Sequence, residues 1–210
     1  MTEDQTEYVW YASYGSNLCE ERFLCYILGG RPPGSAESEV GARDKTLPRD
    51  SQPVKFKFPL YFTGYSSRWG GGGAVIGLTE PESEETLGRM FLITKEQFVD
   101  VVRQENGIDD FEIDFEKVIK NKSFVMQESF YGNIVYTGDC EGYPIFTFTS
   151  YRDMKDNEIS IPSESYLKML IRGYQETFDL TNKEIAEYLI IKPGVQGHYT
   201  KDRLMNLISD

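Results

Sequence analysis

The sequence predicts an α+β domain, a curled sheet or small mixed β-barrel flanked by helices. Three observations carry this. Aromatic and β-branched segments, punctuated by Gly, Pro and Asp, predominate in the middle of the chain. Segments of helical periodicity punctuate that region and close the chain. The alternation of the two is too irregular for a doubly wound parallel sheet. Aromatic residues reach 14% of the 210 residues, with 14 Tyr and 13 Phe, which favours strands and a dense core.

The elements follow in order. Residues 8–13 (Tyr-Val-Trp-Tyr-Ala-Ser) read as a strand that Gly15 breaks. Asn17 and Glu20 have capping-box spacing ahead of Phe23, Leu24, Ile27 and Leu28, and Gly29-Gly30 stops that helix. Residues 31–53 have no apolar period and read as a long surface loop. Residues 54–63 read as one strand entering the core, and Gly64–Gly73 as a second loop carrying Trp69. Residues 74–79 and 86–93 read as strands around a turn at 81–85. Thr94 and Gln97 cap a short helix with Phe98, Val101 and Val102 on its apolar face, ended by Glu105-Asn106-Gly107. The region 111–149 is expected to hold two or three strands. Ser163 opens an amphipathic helix bearing Tyr166, Leu167, Leu170, Ile171, Tyr174 and Phe178, and Thr181 with Glu184 caps a further helix to about Ile190. The domain division expected is a polar N-terminal tail over 1–7 and one domain over 8–210, with C-terminal helices from about 163.

Composition narrows the chemistry. A single histidine, His198, leaves no room for multi-histidine zinc sites, and Cys19, Cys25 and Cys140 lack Cys-x-x-Cys spacing. The sparse, odd cysteine count argues against a disulfide scaffold. The net charge of −12 repels nucleic acid and anionic membranes overall. The start of the chain is acidic and polar, unlike a signal peptide, and no apolar run approaches the roughly 20 residues that span a bilayer. A cytoplasmic protein with no nucleic-acid or membrane partner is expected. Its chemistry must rest on carboxylates, hydroxyls, amides and backbone dipoles. Nothing in the sequence sets an oligomeric state.

Two places could carry that chemistry. Tyr14-Gly15-Ser16-Asn17 lies at a strand-to-helix junction, where free backbone N–H groups suit an anion or a developing oxyanion. The same letters also describe an ordinary capped helix with a glycine turn. Glu105 lies in the last turn of a helix, where the dipole disfavours a carboxylate and raises its pKa, as burial also would. Such a carboxyl can both accept and donate a proton, although a solvated glutamate fits the local pattern too. Trp69 with Gly70–Gly73 lacks the residues of a phosphate loop and reads as a close-packed loop, with Trp69 a possible ligand wall. Cys19 and Cys25 read as small hydrophobes, and His198 as a surface or packing residue.

Tyr11-Ala12-Ser13-Tyr14-Gly15-Ser16-Asn17-Leu18 resembles the gamma-glutamylcyclotransferase-like (AIG2-like) family. Further features in the same order support it: the Phe58–Ile93 section with its Trp-containing glycine loop, the short helix ending in an acidic residue and glycine, and the 162–166 helix start with Gly173 and Leu180. The resemblance implies a small mixed β-barrel with helices around a cavity. Tyr14, Gly15, Ser16, Asn17 and Leu18 would bind substrate, with Tyr166 nearby, and Glu105 would be catalytic. Arg22 would serve packing or an ion pair. No metal or cofactor is implied. The expected activity is cyclisation of a γ-glutamyl amide, or a related amine-bearing amide, to 5-oxoproline with release of the amine. The alternative is a non-catalytic module of the same fold that binds a small amino-acid-derived ligand. The sequence departs from the family in its Glu-Asn-Gly motif and in its long 31–53 and 108–160 segments. The latter are the expected carriers of specificity.

Overall fold

A computed structural model describes residues 8–32, 38–79, 85–109 and 111–209. The expected tail at 1–7, part of the 31–53 loop and most of the 81–85 turn lie outside the described residues. The strands are β1 (Tyr8–Ser13), β2 (Asp50–Phe56), β3 (Leu60–Ser66), β4 (Gly71–Ile76), β5 (Thr86–Thr94), β6 (Ser123–Val125), β7 (Asn133–Cys140) and β8 (Tyr143–Thr149). The helices are α1 (Glu20–Leu28), α2 (Lys95–Asn106), α3 (Phe115–Asn121), α4 (Glu164–Thr177), α5 (Asn182–Ile190) and α6 (Lys201–Ser209).

Six strands form one mixed sheet in the order β2-β5-β1-β8-β7-β6, and β3 and β4 form a separate antiparallel pair. β1 lies inside the larger sheet, antiparallel to β5 and parallel to β8. Its side chains alternate between two cores. Val9 and Tyr11 pack with Phe23, Phe91 and Phe98 on the side of α1 and α2. Trp10 and Ala12 pack with Leu60, Phe62, Leu167 and Leu170 on the side of the β3–β4 pair and α4. Burial on both faces explains why this strand reads as an unbroken apolar run.

Among the described residues the large sheet stays open, which corrects the expected barrel. β2 is an edge that carries Pro53, a residue with no N–H to donate, and β6 is only three residues long. The two sheets are joined by side chains: the Thr149 hydroxyl accepts from Ile76 N at 3.1 Å and donates to Ile76 O at 2.7 Å.

Other boundaries also moved. The single strand expected over 54–63 is two strands in different sheets, because Pro59 interrupts the ladder and restricts Phe58 before it. The loop expected through Gly73 ends earlier, and β4 begins at Gly71. A Cβ at Gly71 would meet Ser163 N at 2.7 Å, and one at Gly72 would meet Ser160 O at 2.8 Å. The glycines let β4 press directly on the 160–163 backbone. The helices α3 and α6 were not anticipated. Asp114 caps α3 by accepting from Lys117 N at 3.0 Å. The capping boxes at Thr94 and Thr181 form as expected, and Ser163 caps α4.

Candidate functional site

The end of β1 is where the two cores meet, and a cavity of about 320 Å³ opens there. Its walls include Tyr14, Gly15, Ser16 and Asn17 from the turn, Glu105 from α2 and Tyr166 from α4. Residues some ninety positions apart, such as Asn17 and Glu105, are thus brought together. Leu18, expected beside them, is fully buried and is not part of the cavity lining; it packs under α4 instead.

The turn does not work as the sequence suggested. Ser16–Leu18 form a single 3-10 turn, and α1 starts after Cys19 with no side-chain cap. Asn17 is therefore released from the expected capping box with Glu20. Its Nδ2 instead donates to Glu105 Oε1 and to the Tyr11 hydroxyl, both at 3.1 Å. Its Oδ1 is buried and has no hydrogen-bond partner. The Tyr14 hydroxyl donates to Phe148 O at 2.6 Å, pinning the turn to β8.

Glu105 is half-buried, its carboxyl opening onto the cavity. Burial raises its pKa above the ordinary carboxylate value; the charge of Arg22 and a hydrogen bond from Tyr26 act in the opposite direction but do not cancel it. The helix-end position that drew attention in the sequence is real, with Gly107 in the left-handed conformation closing α2. Asn106, the departure from the usual Glu-Gly motif, has a structural task. Its amide donates to Val102 O at 2.9 Å and Tyr131 O at 3.2 Å and accepts from Ser129 at 2.6 Å. It thereby ties the end of α2 to the segment that brings Tyr131 to the cavity.

Tyr166 accepts from Ala74 N at 3.2 Å, and burial pushes its pKa up to about 12, so it stays a neutral hydroxyl. Trp69 packs on it with ring centroids 5.1 Å apart and lines the cavity. Sequence reasoning missed Tyr11, Tyr26, Arg68 and Tyr131, which also line it. Tyr11 was legible only as core, since strand periodicity cannot tell a core hydroxyl from a site hydroxyl. Arg22 makes the expected ion pair, with Glu39 at 3.0 Å, and lines the cavity as well. Cys19 is buried, and His198 lies exposed. Among the described residues no cluster of His, Cys, Asp and Glu could hold a metal ion. No helix among them is long and apolar enough to cross a membrane.

The layered sheet, the flanking helices and the cavity at the end of β1 define a fold already known. The chain has the gamma-glutamyl cyclotransferase fold. A solved gamma-glutamyl cyclotransferase superposes with a TM-score of 0.52 at 19% identity, covering 97% of this chain and 99% of that one. The crystal structure of an uncharacterised protein from Homo sapiens gives the same values. The resemblance carried by the Tyr11–Leu18 segment and the features that follow it is thus borne out at the level of the fold. No family model matches the chain. Among curated proteins, Histone deacetylase 5 of Arabidopsis thaliana is 36% identical over 200 residues, which is 86% of this chain and 30% of that protein. The chain therefore spans about a third of the length of that relative.

Proposed function

We propose that this chain is a cyclotransferase that converts a γ-glutamyl amide, or a related amine-bearing amide, to 5-oxoproline with release of the amine. One observation carries the reading: the Glu105 carboxyl, held by the Asn17 amide at 3.1 Å, opens onto a cavity built around the Tyr14–Asn17 turn. In the proposed reaction the substrate's α-amine attacks its own γ-carbonyl carbon. A C–N bond forms within the substrate, and the bond from that carbon to the leaving nitrogen breaks. Glu105 takes the proton from the attacking amine and returns it to the leaving nitrogen, so it ends as it began. The cavity's main work is to fold the substrate so that amine and carbonyl approach. Backbone N–H groups around Gly15–Asn17 serve as preorganised donors to the oxyanion or a substrate carboxylate. The reaction as written uses no metal or cofactor.

The chain has a net charge of −12, so attraction for an anionic substrate must be local. Arg22 and Arg68 on the cavity wall supply it. Incubation of the pure protein with γ-glutamyl dipeptides and γ-glutamyl amines, with 5-oxoproline read by mass spectrometry, tests the reading; silence across the panel sinks it. Asn17→Ala removes the bond to Glu105. It is expected to lower kcat/KM by about 10- to 100-fold, the worth of a hydrogen bond to a charged group. Steady-state kinetics on the best substrate of the panel check this.

A second reading is a small-ligand-binding module without turnover. The match to only about a third of a longer protein supports it, because a domain within a larger chain can bind a ligand without turning it over. Its mark is thermal stabilisation by γ-glutamyl compounds that are recovered unchanged. A pure interaction surface with Glu105 in bulk solvent fits poorly, because that carboxyl faces the cavity.

A further inference from the structure

Residues 38–43 form a strap fastened along α1 and α2. Glu39 and Gly30 exchange backbone hydrogen bonds at 2.7 and 3.0 Å. Gly41 N donates to the Gln104 side chain at 3.0 Å, Ala42 N to Ile27 O at 2.9 Å and Arg43 N to Asp100 at 2.8 Å. The strap fixes the Glu39 backbone and directs its side chain inward, where it is only 7% exposed.

There the Glu39 carboxylate accepts from two arginines of different elements at the same oxygen, Oε1. One is Arg22 of α1, 2% exposed, at 3.0 Å. The other is Arg68, at the tip of the β3–β4 hairpin, also ion-paired to Oε1. Both arginines line the cavity, and so do Tyr65, Ser66, Ser67 and Trp69 around Arg68. Arg22 in turn donates to Ser16 Oγ at 3.4 Å and to the Tyr26 hydroxyl at 2.9 Å. One buried carboxylate thus joins α1 to the tip of the β3–β4 hairpin, both of which line the cavity.

We propose that Glu39 is a positioning residue of the site, closing the β3–β4 hairpin over the cavity and holding the Arg22 guanidinium on the wall it shares with Glu105. The proposal rests on the reading of Glu105 as the proton carrier. Glu105 is faced by Tyr11 of β1, Arg22 and Tyr26 of α1, Glu39 of the strap, Arg68 of the hairpin, Tyr131 ahead of β7 and Tyr166 of α4. The tyrosines are neutral. The two arginines favour the ionised carboxyl and Glu39 opposes it. Loss of the Glu39 charge and loss of the Arg68 charge therefore have opposite electrostatic effects at Glu105 and the same mechanical effect on the hairpin.

The test compares Glu39→Gln and Arg68→Gln with wild type by steady-state kinetics against pH and by NMR titration of ¹³C-labelled Glu105. Both variants are expected to raise KM about tenfold, the worth of one charge-assisted bond. Glu39→Gln is expected to move the Glu105 titration, and the acidic limb of kcat/KM, to lower pH; Arg68→Gln is expected to move both to higher pH. Glu39→Asp, which keeps the charge, should restore the limb. Shifts in the same direction, or unchanged KM in both variants, overturn the proposal. Should Glu39→Gln not fold, Glu39→Asp, which keeps the charge but shortens the reach to Arg22 and Arg68, decides: a raised KM with an unmoved Glu105 titration supports the proposal, and an unchanged KM overturns it. Should wild type turn nothing over, the proposed reaction fails. The titrations and the binding of a γ-glutamyl dipeptide, read as Kd in place of KM, then decide the role of Glu39 independently.

Discussion

Glu105→Gln is expected to lower kcat on γ-glutamyl dipeptides by about 10²- to 10⁴-fold while leaving ligand binding near wild type. Glutamine has nearly the same shape and still accepts from the Asn17 amide, so the cavity wall is kept, but it cannot carry a proton. Full activity in this variant would remove Glu105 from the mechanism. The pH dependence follows from the same burial. The base form must be ionised, so kcat/KM falls as pH drops through the raised Glu105 value, and the acidic limb lies above that of an exposed glutamate. Stability runs the other way. With its pKa raised in the folded state, Glu105 leaves stability intact below its unfolded value of about 4.3 and subtracts from it as pH rises through the folded value. At neutral pH the Gln variant is therefore expected to melt at or above wild type, a difference that closes near pH 4. Thermal denaturation from pH 4 to 8 measures it. The fold holds the Glu105 carboxyl at a cost in stability.

Gly173→Ala is expected to destabilise the protein by about 3 kcal/mol, a fall in Tm of roughly 6–12 °C for a chain of this size. In an ordinary helix interior the same change would stabilise by about 1 kcal/mol. Here a Cβ would lie 2.4 Å from Leu18 Cβ and 2.9 Å from both Cys19 N and Leu18 C. Two of those atoms are backbone, so α4 must lift away from the turn. Tyr166 sits on α4, and the lift would also raise KM. A Tm equal to or above wild type would show that α4 is not seated on the turn in this way.

Much of this arrangement was legible in the sequence because local chemistry and tertiary context agreed. β1, the capping boxes at Thr94 and Thr181 and the amphipathic α4 were readable from period and cap alone. The errors fall where long-range contacts decide. Asn17 has the spacing of a cap, but Tyr11 and Glu105 compete for its amide and win. Gly71–Gly73 read as a loop, yet they extend because the 160–163 segment and Phe130 leave no room for side chains. The open sheet depends on which edges pair, which no local pattern records. Glu105 was found from an anomaly, a carboxylate at the wrong end of a helix. Glu39 offered no anomaly at all, since a glutamate in a polar loop looks solvated until Arg22 and Arg68 arrive from elsewhere.

The place of β1 has a consequence for how the chain comes to be folded. The strand that carries the turn precedes the other described strands, yet its parallel neighbour is β8, and Tyr14 waits for a carbonyl 134 residues further on. At a synthesis rate of about 5–20 residues per second, that delay is on the order of ten seconds. During it β1 can pair with β5, and β5 with β2, but the edge of β1 that faces β8 has no partner strand. Pairings of such separation are slow to form. The cavity, lined by Tyr131 and Phe148 as well as by the turn, is therefore complete only once β8 has been made.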